Sequence, residues 1–462
     1  MLTFAIIIMV ASLIFAVAGW RRGRPRNWIF PSDALFVACV IFVGIAPLLN
    51  LRATTAYSVN YAYEDAVIIR TLLGIALMFA IFGLVWFLRP VIRVRSLLEG
   101  VEGGRVVAQW AYYATIALCI LSAFMMLLDS EYARFRSDVF MFMTGQLHGL
   151  EYQYSRRFAY NDNILIAEIL GRMRYSVFAF LFAMTSTYLI ATMKNYFVAA
   201  GIAGVAFFLL SSSVSKLPFI YFLLYATLIF VLIKTNASLL RAKFLVPFVA
   251  VGSVSILLMI SILYMVQYPT IYRGFEGWLG ALELGVFRVF GAVYDGMLQY
   301  FTVYPAAYEF AYFTDSSVLA FIMDKPARDI TMEVPVYFGG EGQYGITTTP
   351  TMFVGGAYAS LGYLGVAFYS LIVALFAVWI DHVVVNLKQA FLRVAVYATM
   401  MLNIVFFAMV AAPTVLLTYG CIVIPVIALL LDGKLMLLTR ERVRPPGRRM
   451  LQNPGPDPRG HP

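Results

Sequence analysis

Apolar runs long enough to cross a lipid bilayer recur along most of the chain, and they constrain the fold more than any other feature. A membrane-spanning helix needs about 20 mostly apolar residues, because hydrocarbon leaves the backbone no partner but itself. Eleven such runs stand near 2–20, 33–51, 66–88, 110–128, 175–193, 196–213, 217–233, 244–266, 351–379, 394–412 and 414–431. They exceed strand length, so the expected fold class is all-α: a polytopic integral membrane protein with about 11 transmembrane helices. Charged residues make up 13% of the chain, and a soluble protein of 462 residues would need more to cover its core. The first run is not a cleavable signal, because Arg21, Arg22, Arg24 and Arg26 follow it instead of preceding it.

The positive-inside tendency orients these runs. With loop 21–32 inside, loops 89–109, 194–195, 234–243 and 380–393 and the C-terminal tail also fall inside. Together they carry 21 of the 34 Lys and Arg, while 17 of the 24 Asp and Glu fall outside. The N-terminus is then out and the C-terminus in, as an odd number of spans requires. Residues 1–439 read as one integral domain. Residues 440–462, basic and rich in Pro and Gly, read as a disordered cytoplasmic tail that suits lipid headgroups. Two outer connectors, 129–174 and 267–350, are large. The second holds 18 aromatic residues and reads as ordered, either as an interfacial belt or as a platform for sugar or lipid.

Other chemistries lack their residues. Cys39, Cys119 and Cys421 lie far apart inside apolar runs, and His148, His382 and His461 are scattered. No metal or cofactor is expected, nor a disulfide framework, an ATP-binding loop or a nucleic-acid partner. Membrane lipids are the expected surroundings.

Four segments put charge near the membrane, where it is costly. In SSSVSKLP, Lys216 sits in a short outer turn before Pro218, which suits a phosphate or a snorkelling lysine. In 286–310, Arg288, Asp295 and Gln299 share one helical face. Arg288 suits a pyrophosphate, and Asp295 either a base or an ion pair with that arginine. The Gly- and Thr-rich run 338–365 has Glu341 as its one acid, and its glycines 355, 356, 362 and 365 suit tight helix packing. The run YSRRFAYNDN carries Arg156 and Arg157, which suit an anionic headgroup or oligosaccharide as well as a solvated loop.

TTTPTMFVGGAYASLGYLGV (347–366) resembles the C-terminal motif of the O-antigen and exopolysaccharide repeat-unit polymerases, the Wzy-like family. SSSVSKLPFIYFLL (211–224) is similar to that family's small-polar, basic, then apolar turn. The motifs cover some 35 residues, and many relatives carry an acid where this chain has Gly356. The resemblance implies a membrane glycosyltransferase acting on oligosaccharides linked to undecaprenyl pyrophosphate, at the outer face of the bacterial inner membrane. Lys216, Arg273 and Arg288 would neutralise the leaving pyrophosphate without a metal, and Asp295 or Glu341 would deprotonate the acceptor. Arg156, Arg157, Trp278 and Tyr344 are candidate glycan contacts. A chain-length regulator and a flippase are the implied protein partners. An O-antigen ligase uses the same donor and is the nearest rival. A lipid-linked oligosaccharide flippase or other transporter should show repeated halves and charges inside its spans, and no repeat is visible. A non-catalytic envelope scaffold is the remaining alternative.

Overall fold

The computed structural model describes residues 1–22, 28–48, 63–90, 109–117, 176–192 except 178, 216–235, 240–244 except 242, 273–287, 291–338 except 316 and 329, and 351–442 except 411, with isolated positions between. Among them the chain is mostly helical and has no strand. In chain order the helices are α1 (Leu2–Arg21), α2 (Pro31–Cys39, extended as a π-helix over Val40–Ile45), α3 (Asp65–Leu88), α4 (Ala179–Thr187, extended over Tyr188–Thr192) and α5 (Lys216–Lys234). Then come α6 (Gly274–Val286), α7 (Ala292–Val303), α8 (Ser317–Ile322), α9 (Ile330–Tyr337), α10 (Phe353–Asn386), α11 (Ala390–Asn403, with a 3-10 turn Ile404–Ala408), α12 (Ala412–Thr418) and α13 (Val423–Arg442).

Among the described residues, four helical stretches are long and apolar enough to cross a membrane: Leu2–Arg21, Asp65–Leu88, Phe353–Asn386 and Ala390–Ala408. Shorter apolar helices lie at Pro31–Ile45, Ala179–Ile190, Leu224–Lys234 and Val423–Gly433. The runs expected at 110–128, 196–213 and 244–266 fall largely outside the described residues, as do residues 443–462. The helix α13 continues to Arg442, past the expected start of the tail at 440.

Small residues let α1 and α3 lie close. A Cβ on Gly19 would come within 2.5 Å of the Gly83 carbonyl oxygen. Such contact between helix backbones gives the packing that lipid, as apolar as leucine, does not drive. Around this pair a buried aromatic core forms from Phe36, Phe79, Phe82, Trp86 and Phe353. The Phe36 and Trp86 rings meet edge-to-face at 4.9 Å.

One end of the bundle is knotted by polar groups, and it gathers chain segments far apart in sequence. The backbone N–H and the hydroxyl of Ser32 both donate to Asp381 at the far end of α10. Asp33 accepts from Trp20 Nε1 at 2.5 Å and from the Phe30 N–H at 2.6 Å. Arg89 donates to the carbonyl of Trp20 in the last turn of α1 and to that of Arg22 just past it. Asp432 accepts from the backbone N–H groups of Lys388 and Gln389, which lead into α11. Tyr397 donates to the Ile29 carbonyl and accepts from the Leu240 N–H. Residues 20–22, 28–33, 89, 240, 381–393 and 432 therefore meet at one end. Exposed Arg21, Arg22, Arg241, Lys243 and Lys388 also belong to it, so we call it the basic end.

Candidate functional site

The opposite end is built around a break in α10. Leu361 (φ −146°, ψ 21°) and Gly362 (φ 63°, ψ −145°) leave the helical region. The chain reverses there. The rings of Phe353 and Phe376 both lie against Phe407, at 6.5 and 5.9 Å. In a straight helix 23 residues would separate them by about 35 Å. The Ala357 carbonyl sits against Gly365, where a Cβ would collide with it. So 353–360 is a short helix buried in the bundle, and 363–386 is the limb of spanning length, about 36 Å. This corrects the expectation of one continuous span over 351–379. The reason is Gly362: with no Cβ it adopts a conformation that other residues pay strain to reach. The glycines at 355 and 356 stay within the first limb.

The break leaves carbonyls at the end of the first limb without helical partners. A loop from the 267–350 segment supplies them. The N–H groups of Ala311 and Tyr312 donate to the carbonyls of Ala359 and Ser360 at 2.9 and 2.8 Å. Ser360 Oγ accepts from the Phe313 N–H and donates to Asp315. Tyr312 and Phe313 both take positive φ to make this turn. Burial pushes the Asp315 carboxyl above its ordinary range, and the Ser360 hydrogen bond opposes this in part.

Asp295 lies in the first turn of α7, six residues before Phe301, where a helix N-terminus favours a carboxylate. The helix is buried on nearly every side, and Asp295 is 6% exposed. Tyr63 Oη donates to Asp295 Oδ1 at 2.9 Å, and Gln299, one turn on, donates to Oδ2 at 3.0 Å. Among the described residues both oxygens are thus held by neutral donors. Burial pushes the carboxyl above its ordinary range, and the two hydrogen bonds pull it partly back. A carboxylate of this kind accepts a proton more readily than an exposed aspartate.

The helix α7 carries Phe301 to the break. Its ring stacks on Tyr358 at 3.7 Å, and a Cβ on Gly74 of α3 would touch it. Tyr363, just past the break, donates to the Arg70 carbonyl at 3.0 Å. The Arg70 charge lies close enough to the hydroxyls of Tyr358 and Tyr363 to act on both. Asp295, Tyr63, Arg70, Tyr358 and Tyr363 therefore occupy one end of α3. Next to them Arg328 grips Glu333 with two hydrogen bonds, at 2.9 and 2.7 Å, and Tyr304 donates to the same carboxylate at 2.5 Å.

The expected site residues are distributed unequally. Asp295 is buried in α7, and Gln299, expected on the same helical face, hydrogen-bonds to it. Arg273 caps the start of α6, and Trp278 lies on that helix with its ring stacked on Phe275 at 5.9 Å. Among the described residues neither is a hydrogen-bond partner of Asp295. Lys216 is the first residue of α5; its side chain lies outside the described set. Arg156, Arg157, Arg288, Glu341 and Tyr344 also lie outside it. Sequence reasoning missed Arg70, Tyr63, Ser360, Asp315, Arg328 and Glu333. Arg70 had a signal, being the one charged residue in the apolar run 66–88. Among the described residues no group of three His, Cys, Asp or Glu side chains is placed to hold a metal ion. Comparison with protein-family models, curated proteins and solved structures finds no match for this chain.

Proposed function

We propose that this protein is a membrane glycosyltransferase that joins repeat units carried on undecaprenyl pyrophosphate into O-antigen or exopolysaccharide. The carrying observation is a buried aspartate with a raised proton affinity on α7, the helix whose Phe301 stacks on Tyr358 in the segment 347–366 that resembles the polymerase motif. In this reading Asp295 takes the proton of the acceptor hydroxyl. The freed oxygen attacks the anomeric carbon of the donor glycan, whose bond to the diphosphate oxygen breaks. The lipid pyrophosphate leaves with the electron pair. Arg70, on a wall of the same site, stabilises the charge that develops, a contribution worth on the order of 100-fold in rate for a well-placed donor. Lys216, Arg273 and Arg288 are further cations for the diphosphate, and Glu341 is the second candidate base. Arg156, Arg157, Trp278 and Tyr344 are candidate glycan contacts.

The same reading sets the basic end in the cytoplasm of a bacterium and the Asp295 end outside, with eleven spans, the N-terminus out and the C-terminus in. A chain-length regulator and a flippase are the partners that this chemistry calls for. The test is reconstitution of the purified protein with purified lipid-linked repeat units. Lengthening of the lipid-linked glycan, lost in Asp295→Asn, supports the polymerase. Transfer only to a lipid A core acceptor makes the protein a ligase, and translocation without new bonds makes it a transporter.

A further inference from the structure

At the end of the molecule that holds Asp295, one tight turn leaves three consecutive apolar side chains in the open. Phe321 is 86% exposed and Ile322 70%, and Met323 follows them. The turn is not loose. The N–H groups of Asp324 and Lys325 close it onto the carbonyls of Phe321 and Ala320, with Asp324 in the left-handed region at φ 52°. Its base is pinned as well. The Arg328 N–H donates to the Thr314 carbonyl at 2.9 Å, and the Arg328 side chain grips Glu333 and the Glu309 carbonyl. A pre-organised turn that presents large apolar groups to water is costly unless something covers them.

The surface at its root indicates what covers them. Phe313, two residues before Asp315, packs edge-to-face on Phe368 at 5.8 Å. Phe368 belongs to an exposed apolar stripe, Leu364, Phe368, Leu371 and Leu375, along the spanning limb of α10. Residues at that spacing share one helix face, which in a span of this hydropathy is the lipid face. Phe368 lies six residues past the break at Gly362, about 9 Å along the helix. The turn therefore leaves the protein from the lipid-facing surface, close to where the span ends.

We propose that the Phe321–Ile322–Met323 tip is a wedge inserted at the headgroup–acyl boundary of the membrane monolayer on this side, with bilayer lipid as its occupant. Exposed Lys325, next to the tip, is placed for lipid phosphate. The wedge fixes the depth of the loop whose backbone completes the broken end of α10. It does not depend on the glycosyltransferase reading.

The test uses the full chain, with Cys39, Cys119 and Cys421 replaced, reconstituted in phosphatidylcholine–phosphatidylglycerol vesicles. A fluorophore on Phe321→Cys should emit as in an apolar medium. Lipid brominated high on the acyl chain should quench it at least about twofold more than the same fluorophore on Ala327→Cys. Equal, aqueous emission at both sites overturns the proposal. So does shielding at 321 that scales with protein density, the mark of a second copy, or shielding that appears only on adding lipid-linked glycan. A second measurement needs no substitution: an acyl-chain diazirine lipid should label 321–323 above 326–328 in the unaltered chain, and the reverse order overturns the wedge.

Discussion

Tyr63 donates its hydroxyl to Asp295 Oδ1 at 2.9 Å, tying the residue just ahead of α3 to a carboxylate buried in α7. The bond joins positions 232 apart in the chain and lowers a proton affinity that burial has raised. Tyr63→Phe removes that opposition, so the carboxyl rises further. If Asp295 is the base, the acid limb of the activity profile moves to higher pH in Tyr63→Phe, read as elongation rate against pH. An unmoved limb would assign the base elsewhere.

The same carboxyl makes stability depend on pH. Its folded value lies above its ordinary 3.8, so the stability it contributes is complete below that value and is lost as pH rises through the folded one. Asp295→Asn removes the titration. Thermal unfolding of both proteins in one detergent should therefore show the variant gaining on wild type as pH rises. A constant difference in melting temperature across that window contradicts the burial argument.

Gly362 should tolerate no side chain. At φ 63° and ψ −145°, with Phe310 3.2 Å from where a Cβ would stand, Gly362→Ala is expected to cost about 1–3 kcal/mol. Gly433 of α13 has nothing within 4 Å of that position. Gly433→Ala should be neutral or gain up to about 1 kcal/mol from helix propensity. Denaturant titration of the two variants separates a position that requires glycine from one that does not.

At the basic end, Ser32→Ala removes a hydrogen bond to the buried Asp381 carboxylate and is expected to cost about 1.5–3 kcal/mol. Asp381→Asn should make the same serine substitution cheaper, because the charge that strengthens the bond is gone. Additive losses in this double-mutant cycle would show that the two residues do not act together.

Arg328 tests the link between the turn and the site. The Arg328 and Glu333 side chains are partly exposed, so solvent screening limits the pair to at most about 1 kcal/mol. Arg328→Lys should thus barely change the melting temperature. Lysine cannot reproduce the two-pronged grip, so fluorescence from a probe at 321 should lose part of its lipid quenching. Arg70→Ala should lower elongation on the order of 100-fold with unchanged membrane levels of the protein.

The helical class and some of the long apolar helices were legible in the sequence. Runs at 2–20 and 66–88 correspond to α1 and α3 within two residues, because a continuous apolar run in lipid has one way to satisfy its backbone. Asp295 was legible as a charge in an apolar helical stretch, and Gln299 as its neighbour at helical spacing. Arg70 carries the same signal, a single charge inside the apolar run 66–88. Tyr63, Ser360 and Glu333 offered no signal, since each matters only through a partner distant in the chain.

The sequence by itself determined that this chain is helical and apolar. Composition and run length decide those properties, because the cost of unpaired backbone and of charge in hydrocarbon is paid locally. Only the tertiary structure decided that α10 turns back on itself at Gly362, that a loop from residues 311–313 completes the broken end, and that Tyr63 reaches Asp295. A glycine in an apolar run is compatible with a straight helix or with a break. The choice falls to the partners that satisfy the freed carbonyls, and those lie about 50 positions away.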